Sequence, residues 1–245
     1  MRFKYPRTPH LPWSPGATKD DIYQSDLSHF EGKTVVVTEK MDGENTTLYS
    51  DYVHARSIDS RFHPSRTWVK ALQAEIGYRI PIGWRICGEN LYARHSISYD
   101  ALTSYFMAFS AWNDRNECLS WQESKLFFEQ LGLETPKELY LGLWCEETIR
   151  NIDLDIEHQE GYVVRIADRF HFNETRARRA ATANQRLQNL PVPASGDPQQ
   201  LQQRFAAPSI GHCHIPKLVS GARHHHHQTG RLSTCRIVQL QQGHG

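Results

Sequence analysis

The 245-residue chain has no run of about 18 apolar residues, the length a helix needs to cross a membrane, so no membrane span is expected. Its first residues have no apolar run behind them and do not resemble a secretory signal. Its cysteines are odd in number and scattered along the chain, at Cys87, Cys118, Cys145, Cys213 and Cys235. This pattern favours reduced thiols in a cytoplasmic protein over a disulfide framework.

Acidic residues are almost absent after Glu174, since 26 of the 27 fall at or before it and only Asp197 lies beyond. Residues 175–245 therefore carry 9 − 1 = +8, whereas residues 1–174 carry 19 − 26 = −7. The C-terminal segment also lacks tryptophan and tyrosine. A segment so poor in large apolar groups does not easily offset the entropy cost of ordering. We therefore expect a folded domain at residues 1–174 and a disordered basic tail at residues 175–245.

The N-terminal 174 residues show strand and helix patterns in alternation. Runs of β-branched and aromatic residues predict strands at 34–38, 46–50, 52–57, 84–89, 104–112 and 160–166. Apolar residues at helical spacing predict helices at 65–80 and 120–131. Residues 4–20 are rich in proline and polar residues, which predicts an extended arm. Strands with helices inserted between them indicate the α+β class.

Lys40 follows the first predicted strand, in the run EKMDGEN at residues 39–45. A lysine amine attacks phosphorus only when it is neutral, so its surroundings must lower a pKa that is ordinarily about 10.4. Gly43 would let a phosphate approach the backbone closely. Carboxylates such as Asp42, Glu89 and Glu160 are candidates for holding ribose hydroxyls or a metal ion. Taken alone, however, a Lys-x-Asp-Gly tetrapeptide is more often an ordinary turn.

Four further segments follow this tetrapeptide: ARS at 55–57, CGEN at 87–90, YFMAF at 105–109 and EGYVVR at 160–165. In order and approximate spacing, residues 34–166 resemble the covalent nucleotidyltransferases, the superfamily of DNA ligases, RNA ligases and mRNA capping enzymes. The resemblance implies an ATP-grasp-like adenylylation domain with antiparallel sheets and flanking helices. Asn45 stands where DNA ligases and capping enzymes typically have arginine, which favours RNA ligases of the phage nick-sealing type.

The resemblance implies an ATP- and Mg²⁺-dependent RNA ligase. Lys40 would accept AMP from ATP and pass it to the 5′-phosphate of an RNA, and a 3′-hydroxyl would then displace the AMP. RNA ends are the expected partners, with no membrane and no obligate protein partner.

The resemblance also implies a role for each site residue. Glu39 would lie beside the adenine, and the nucleotide would be bound by the loop that carries Asp42, Gly43 and Asn45. The further roles are a phosphate contact for Arg56, ribose hydroxyls for Glu89, adenine stacking for Phe109 (with Phe106 second) and the metal for Glu160. Arg165 alternates with Tyr162 and Val164, so we expect it to be structural or to face solvent.

One motif of the family is missing from this sequence. Paired lysines that contact the triphosphate should follow soon after Glu160, yet only Lys217 lies beyond Glu174. Three arginines stand near the expected place, but their fork differs from a lysine amine. We hypothesise that residues from about 175 onward come from a shifted reading frame or a recent fusion. Two alternatives therefore stay open: a catalytically impaired nucleotide- or RNA-binding remnant, and a DNA ligase or capping-type nucleotidyltransferase.

Overall fold

The computed structural model describes residues 1–15, 22–155 and 157–183. Most of the tail expected at residues 175–245 therefore lies outside the described residues. The strands are β1 (Thr34–Glu39), β2 (Glu44–Leu48), β3 (Val53–Ala55), β4 (Arg85–Asn90), β5 (Phe106–Trp112), β6 (Glu117–Cys118), β7 (Glu138–Leu143), β8 (Tyr162–Ile166), β9 (Phe170–His171) and β10 (Arg179–Ala181). The α-helices are α1 (Thr67–Ile76), α2 (Trp121–Leu131) and α3 (Glu146–Arg150), and 3-10 helices lie at Ser28–Phe30, Pro64–Arg66, Gly77–Arg79 and Phe172–Ala177.

The strands form two sheets, in which every pair of neighbouring strands is antiparallel. The first sheet has the order β10-β8-β1-β7, and the second has the order β3-β2-β4-β5-β6-β9. Helices α1 and α2 contribute Val69, Ile76 and Phe128 to the apolar core that covers the second sheet. The expected α+β class with antiparallel sheets and flanking helices is confirmed. In the described part of the chain, no helix is long and apolar enough to span a membrane.

Helix α2 shows how local sequence sets the element boundaries. Ser120 and Glu123 form a reciprocal capping box at its start, which satisfies backbone N–H groups that the first turn leaves free. Gly132 ends the helix in the left-handed conformation, with φ of 71°. Phe128 and Leu131 lie on its buried face, as their spacing predicts. The helix expected at residues 120–131 is therefore confirmed.

The N-terminal arm is extended, as predicted, but it is docked on the fold. Leu11 is fully buried, and its backbone N–H donates to the carbonyl of Ala181 at 2.8 Å. Ala181 belongs to β10, which pairs with β8, and its neighbour Ala180 is buried in the core of the first sheet. The folded part thus continues to Ala183, nine residues (183 − 174) beyond the expected boundary. Composition missed this strand because backbone pairing and two small buried alanines order it without large apolar side chains.

Candidate functional site

Lys40 lies where the chain crosses from the first sheet to the second. It follows the last residue of β1, and its backbone N–H donates to the carbonyl of Gly161 at 2.9 Å. Gly43 completes the crossing immediately before β2, where a Cβ atom would lie 2.6 Å from the carbonyl oxygen of Asn90. A side chain at this position would collide with the backbone of β4. Gly43 therefore lets two strands approach closely, which is a different reason from the phosphate approach that we expected.

A cavity of about 560 Å³ opens between the two sheets beside Lys40. The first sheet lines it with Val36, Thr38, Val163, Arg165 and Arg179. The second sheet lines it with Asn45, Glu89 and Phe109, and the N-terminal arm contributes Tyr5, Pro6, Arg7, Thr8 and His10. Glu39, Lys40, Met41, Arg56, Trp121 and Pro136 complete the walls. Of the residues expected to bind the nucleotide, six line this cavity: Glu39, Lys40, Asn45, Arg56, Glu89 and Phe109.

Glu160 forms an ion pair with the amine of Lys40. The two side chains are 16% and 28% exposed, so the pair is largely shielded from solvent. Burial raises the pKa of Glu160, and the nearby Lys40 charge opposes that rise. Gly161, which directly follows Glu160, has a φ of 153°. A Cβ atom at this position would lie 2.5 Å from the carbonyl oxygen of Thr182. The glycine of the EGYVVR segment is thus required by backbone geometry.

Two polar residues of the second sheet face the cavity side by side. Asn45 on β2 is paired in register with Glu89 on β4. The Oδ1 atom of Asn45 is buried and has no hydrogen-bond partner among the described residues. Burial raises the pKa of Glu89 to about 8, although Lys40 opposes the rise. At neutral pH this carboxyl is therefore mostly protonated and can donate as well as accept a hydrogen bond.

The two phenylalanines considered for adenine stacking have different surroundings on β5. Phe109 lines the cavity, and its ring centroid lies 5.3 Å from that of Tyr5. Phe106 is fully buried in the core of the second sheet and does not line the cavity. The structure therefore leaves Phe109 as the available stacking surface and assigns Phe106 to packing.

Asp42 is not among the residues that line this cavity. Its Oδ2 atom accepts hydrogen bonds from the backbone N–H groups of Ser96 at 2.6 Å and Ile97 at 2.9 Å. Its own backbone N–H donates to the Tyr99 hydroxyl at 2.8 Å. Asp42 thus ties the Lys40 loop to residues 96–99, which is a positioning role rather than a contact with the cavity.

Arg165 is the main residue that the sequence misassigned. It alternates with Tyr162 and Val164 as expected, but its face of β8 is the cavity wall, and the side chain is only 7% exposed. Of the two environments that we expected for Arg165, structural or facing solvent, the second is therefore wrong. Arg179, Tyr5, Arg7 and Trp121 also line the cavity without having been expected there. The sequence did contain one signal for Arg165. It lies close to Val163 in the EGYVVR segment, which was expected at the site.

A metal site made of protein ligands alone is not present in the part of the chain that the structure describes, because no three His, Cys, Asp or Glu side chains cluster suitably. Mg²⁺ commonly uses only one or two carboxylates and takes its remaining ligands from substrate phosphates and water. Glu160, beside Lys40, fits that arrangement as a single carboxylate ligand.

Comparisons with known proteins show which family the chain resembles. The family model described as RNA ligase matches residues 33–181, which is more than half of the chain. No curated protein matches the sequence.

Solved structures with similar folds include a Lys-to-Ala mutant of Naegleria gruberi RNA ligase with ATP and Mn, at 18% identity and a TM-score of 0.45. That match covers 71% of this chain and 59% of the other. An archaeal ATP-dependent RNA ligase matches at 16% identity and a TM-score of 0.48, over 74% of this chain and 48% of the other. This chain thus corresponds to about half to three fifths of the length of these structures. On the strength of the family model, the chain belongs to the RNA ligase family.

Proposed function

We propose that the protein is an ATP-dependent RNA ligase that works through a lysyl-AMP intermediate at Lys40. The observation that carries the proposal is the presence of Lys40 in the lining of a cavity that also presents Phe109, Glu89 and several arginines. In the first step, the Lys40 ammonium gives up one proton, its nitrogen bonds to the α-phosphorus of ATP while the bond to pyrophosphate breaks, and a second proton leaves to solvent, so that one N–H remains in the lysyl-AMP. An oxygen of an RNA 5′-phosphate then displaces the lysine, and a 3′-hydroxyl finally displaces AMP.

The side chains around Lys40 suit the first step. Phe109 offers a ring for the adenine, and Glu89, with its raised pKa, offers a neutral carboxyl for the ribose hydroxyls. Arg56 stands exposed at the cavity and has a guanidinium fork that matches a phosphate group. Release of the Lys40 amine from Glu160 must precede attack, because only a neutral amine is nucleophilic.

A divalent cation, with Mg²⁺ as our proposal, would neutralise charge on the triphosphate when bound. Glu160 is the residue that would help to hold it. The named ligands of the Naegleria structures, ATP, AMP and Mn, support a nucleotide and a divalent cation of this kind.

A second candidate function is a remnant that binds nucleotide or RNA without turnover. The specific observation in its favour is that no lysine lies between Glu160 and the end of the family match at residue 181, although the resemblance leads us to expect paired lysines soon after Glu160. Such a remnant would retain the cavity and lose adduct formation.

One experiment tests both candidates. The protein is incubated with Mg²⁺ and either α-phosphate-labelled ATP or GTP and then denatured, and covalent label is measured. Label from ATP that disappears in Lys40→Ala, but persists in the matched control Lys33→Ala at the exposed start of the same strand, supports the ligase. Label from GTP alone supports a capping-type enzyme. No label, together with retained RNA binding, supports the remnant.

A further inference from the structure

Two arginines lie directly opposite each other on neighbouring strands of the first sheet. Arg165 on β8 is paired in register with Arg179 on β10, and both side chains line the cavity. Side chains at directly opposed positions have Cβ atoms about 4.5–5.5 Å apart, and like charges in such pairs destabilise the sheet. The pair is therefore unfavourable unless something of opposite charge lies beside it.

Both arginines are deeply buried and only partly hydrogen-bonded. Arg165 is 7% exposed and Arg179 is 2% exposed. Arg165 Nη1 donates to the Phe109 carbonyl at 3.0 Å, and Arg179 Nη2 donates to the Pro6 carbonyl at 2.8 Å. Nε and Nη2 of Arg165, and Nε and Nη1 of Arg179, have no hydrogen-bond partner among the described residues. A buried donor without a partner costs free energy, and a buried charge without a counter-charge costs more.

No carboxylate in the described residues forms an ion pair with either guanidinium. Aromatic rings fix their planes instead, with Arg165 5.1 Å from the ring centroid of Trp121 and Arg179 4.2 Å from that of Tyr5. These contacts hold each fork in place but leave four N–H-bearing nitrogens without an acceptor. The two forks are thus ordered in advance for an acceptor that the protein does not supply.

Further positive charge gathers at the same cavity. Arg7 and Arg56 both line it. Although Arg56 is exposed as a whole, partial burial of its guanidinium lowers its pKa, and the charges of Arg7 and Arg179 lower that pKa further, so these cations lie close together. Such a cluster around unsatisfied donors is typical of a binding site for a multiply charged oxyanion.

We propose that Arg165 and Arg179 form a phosphate-binding site that does the work of the paired lysines missing from this chain. A phosphate group would satisfy the free N–H groups of both forks and remove the repulsion between them. The identity of the molecule that carries this phosphate rests on the proposed function. It is either the pyrophosphate end of ATP or the 5′-phosphate of RNA.

Binding of inorganic pyrophosphate, measured by calorimetry, tests the site without any covalent chemistry. Arg179→Met and Arg165→Met should each weaken binding by about ten- to a hundredfold, the expected loss for charge-assisted hydrogen bonds. Arg176→Gln, an exposed arginine three positions away, is the matched control and should bind as the wild type does. Unliganded, each Met variant should melt at the wild-type temperature or above it, because a buried repulsive charge is gone.

Two results would overturn the site. One is unchanged pyrophosphate affinity in both Met variants, and the other is a wild-type protein that does not bind pyrophosphate. If Arg179→Met proves unstable because Arg179 anchors Pro6, Arg165→Met alone decides, since it leaves that anchor intact.

Two assays distinguish the sources of the phosphate. If the site binds ATP, Arg179→Met raises the KM for ATP in adduct formation and leaves the sealing of pre-adenylylated RNA unchanged. If it binds RNA, the variant loses the preference of the wild type for 5′-phosphate over 5′-hydroxyl RNA. Failure of the proposed ligase function looks different from both: the wild type forms no adduct, while pyrophosphate still binds and still depends on Arg179.

Discussion

The two walls of the cavity differ in whether their residues lie in segments that resemble family motifs or are brought together by strand pairing. The wall from the second sheet presents Asn45, Glu89 and Phe109, and each lies in or beside a segment that resembles a family motif. The wall from the first sheet presents Arg165, the last residue of the EGYVVR segment, and Arg179, which lies in none of these segments, and the two meet only because β8 pairs with β10. Chemistry carried by one segment is visible in sequence, whereas chemistry made by pairing two distant segments is not.

The largest expected effects come from substitutions of two phenylalanines on β5, Phe106 and Phe109, which should have different consequences. Phe106→Ala should lower the free energy of unfolding by about 3–5 kcal/mol, because it leaves a cavity in the core of the second sheet. Phe109→Ala should destabilise the protein less, because Phe109 is only half-buried. It should instead raise the KM for ATP in adduct formation about ten- to a hundredfold, the range expected for loss of a base-stacking ring.

Urea denaturation measures the stability of both variants, and the labelled-ATP assay measures the KM. Phe106→Ala is assayed at a temperature where it remains folded, so that its KM reports on the cavity alone. An equal rise of KM in both variants would contradict the assignment of Phe109 to the base and Phe106 to the core.

A substitution on the wall formed by the first sheet is expected to increase activity and so tests which residues face the nucleotide. Ala181 pairs with Val163 on β8, and Val163 pairs with Thr38 on β1, so the buried Ala181 lies on the side of the sheet on which Val163 and Thr38 line the cavity. This row is closer along the sheet to Lys40 than the row that contains Arg165 and Arg179. Ala181→Lys should therefore add a cation beside the triphosphate and raise the rate of adduct formation at low ATP about tenfold.

Ala177→Lys is the matched control, because it adds the same charge at an exposed position outside the cavity. Adduct formation is measured under single-turnover conditions, and the melting temperature of each variant is compared with that of the wild type. Equal acceleration by both lysines would indicate a non-specific charge effect and would contradict the prediction that position 181 faces the nucleotide.

The sequence predicted much of the fold because its patterns are local. The β-branched run of β1 and the helical spacing of apolar residues in α2 each act within a few residues, and both elements were found in the expected places. Strand β7 was not expected, although Leu139, Leu141 and Leu143 alternate along it, and two of these leucines are exposed. Strand β10 was missed because it is ordered by pairing with β8 rather than by its own composition.

Prediction of the site shows the same division between local sequence patterns and contacts between distant segments. Lys40 and Glu160 were assigned from motifs, and the structure brings them into an ion pair although 120 positions separate them. The roles assigned to these two residues stay predictions until adduct formation is measured. Arg165 was assigned to the wrong environment because alternation indicates that a side chain changes face but not what lies on that face. Only the pairing of the sheets reveals that both faces of β8 are covered.

The most gradual expected effect, spread over several pH units, concerns Glu89 on the second wall. In the unfolded chain a glutamate loses its proton near pH 4.5, whereas in the folded protein Glu89 holds it to about pH 8. Between these values the folded state binds the extra proton, so stability should fall as pH rises and level off above pH 8. The slope for this group should be less than about 1.4 kcal/mol per pH unit, because solvent reaches part of the side chain.

Glu89→Gln removes this titration while it keeps the shape and neutral polarity of the protonated side chain. Melting temperatures of both proteins between pH 5 and pH 9 isolate the effect, since every other titrating group is common to the pair. The wild type should lose stability relative to Glu89→Gln as pH rises to 8, and the difference should then stay constant. A difference that does not vary with pH would mean that Glu89 is ionised in the folded protein, and the ribose hydroxyls would then meet a charged acceptor rather than a neutral carboxyl.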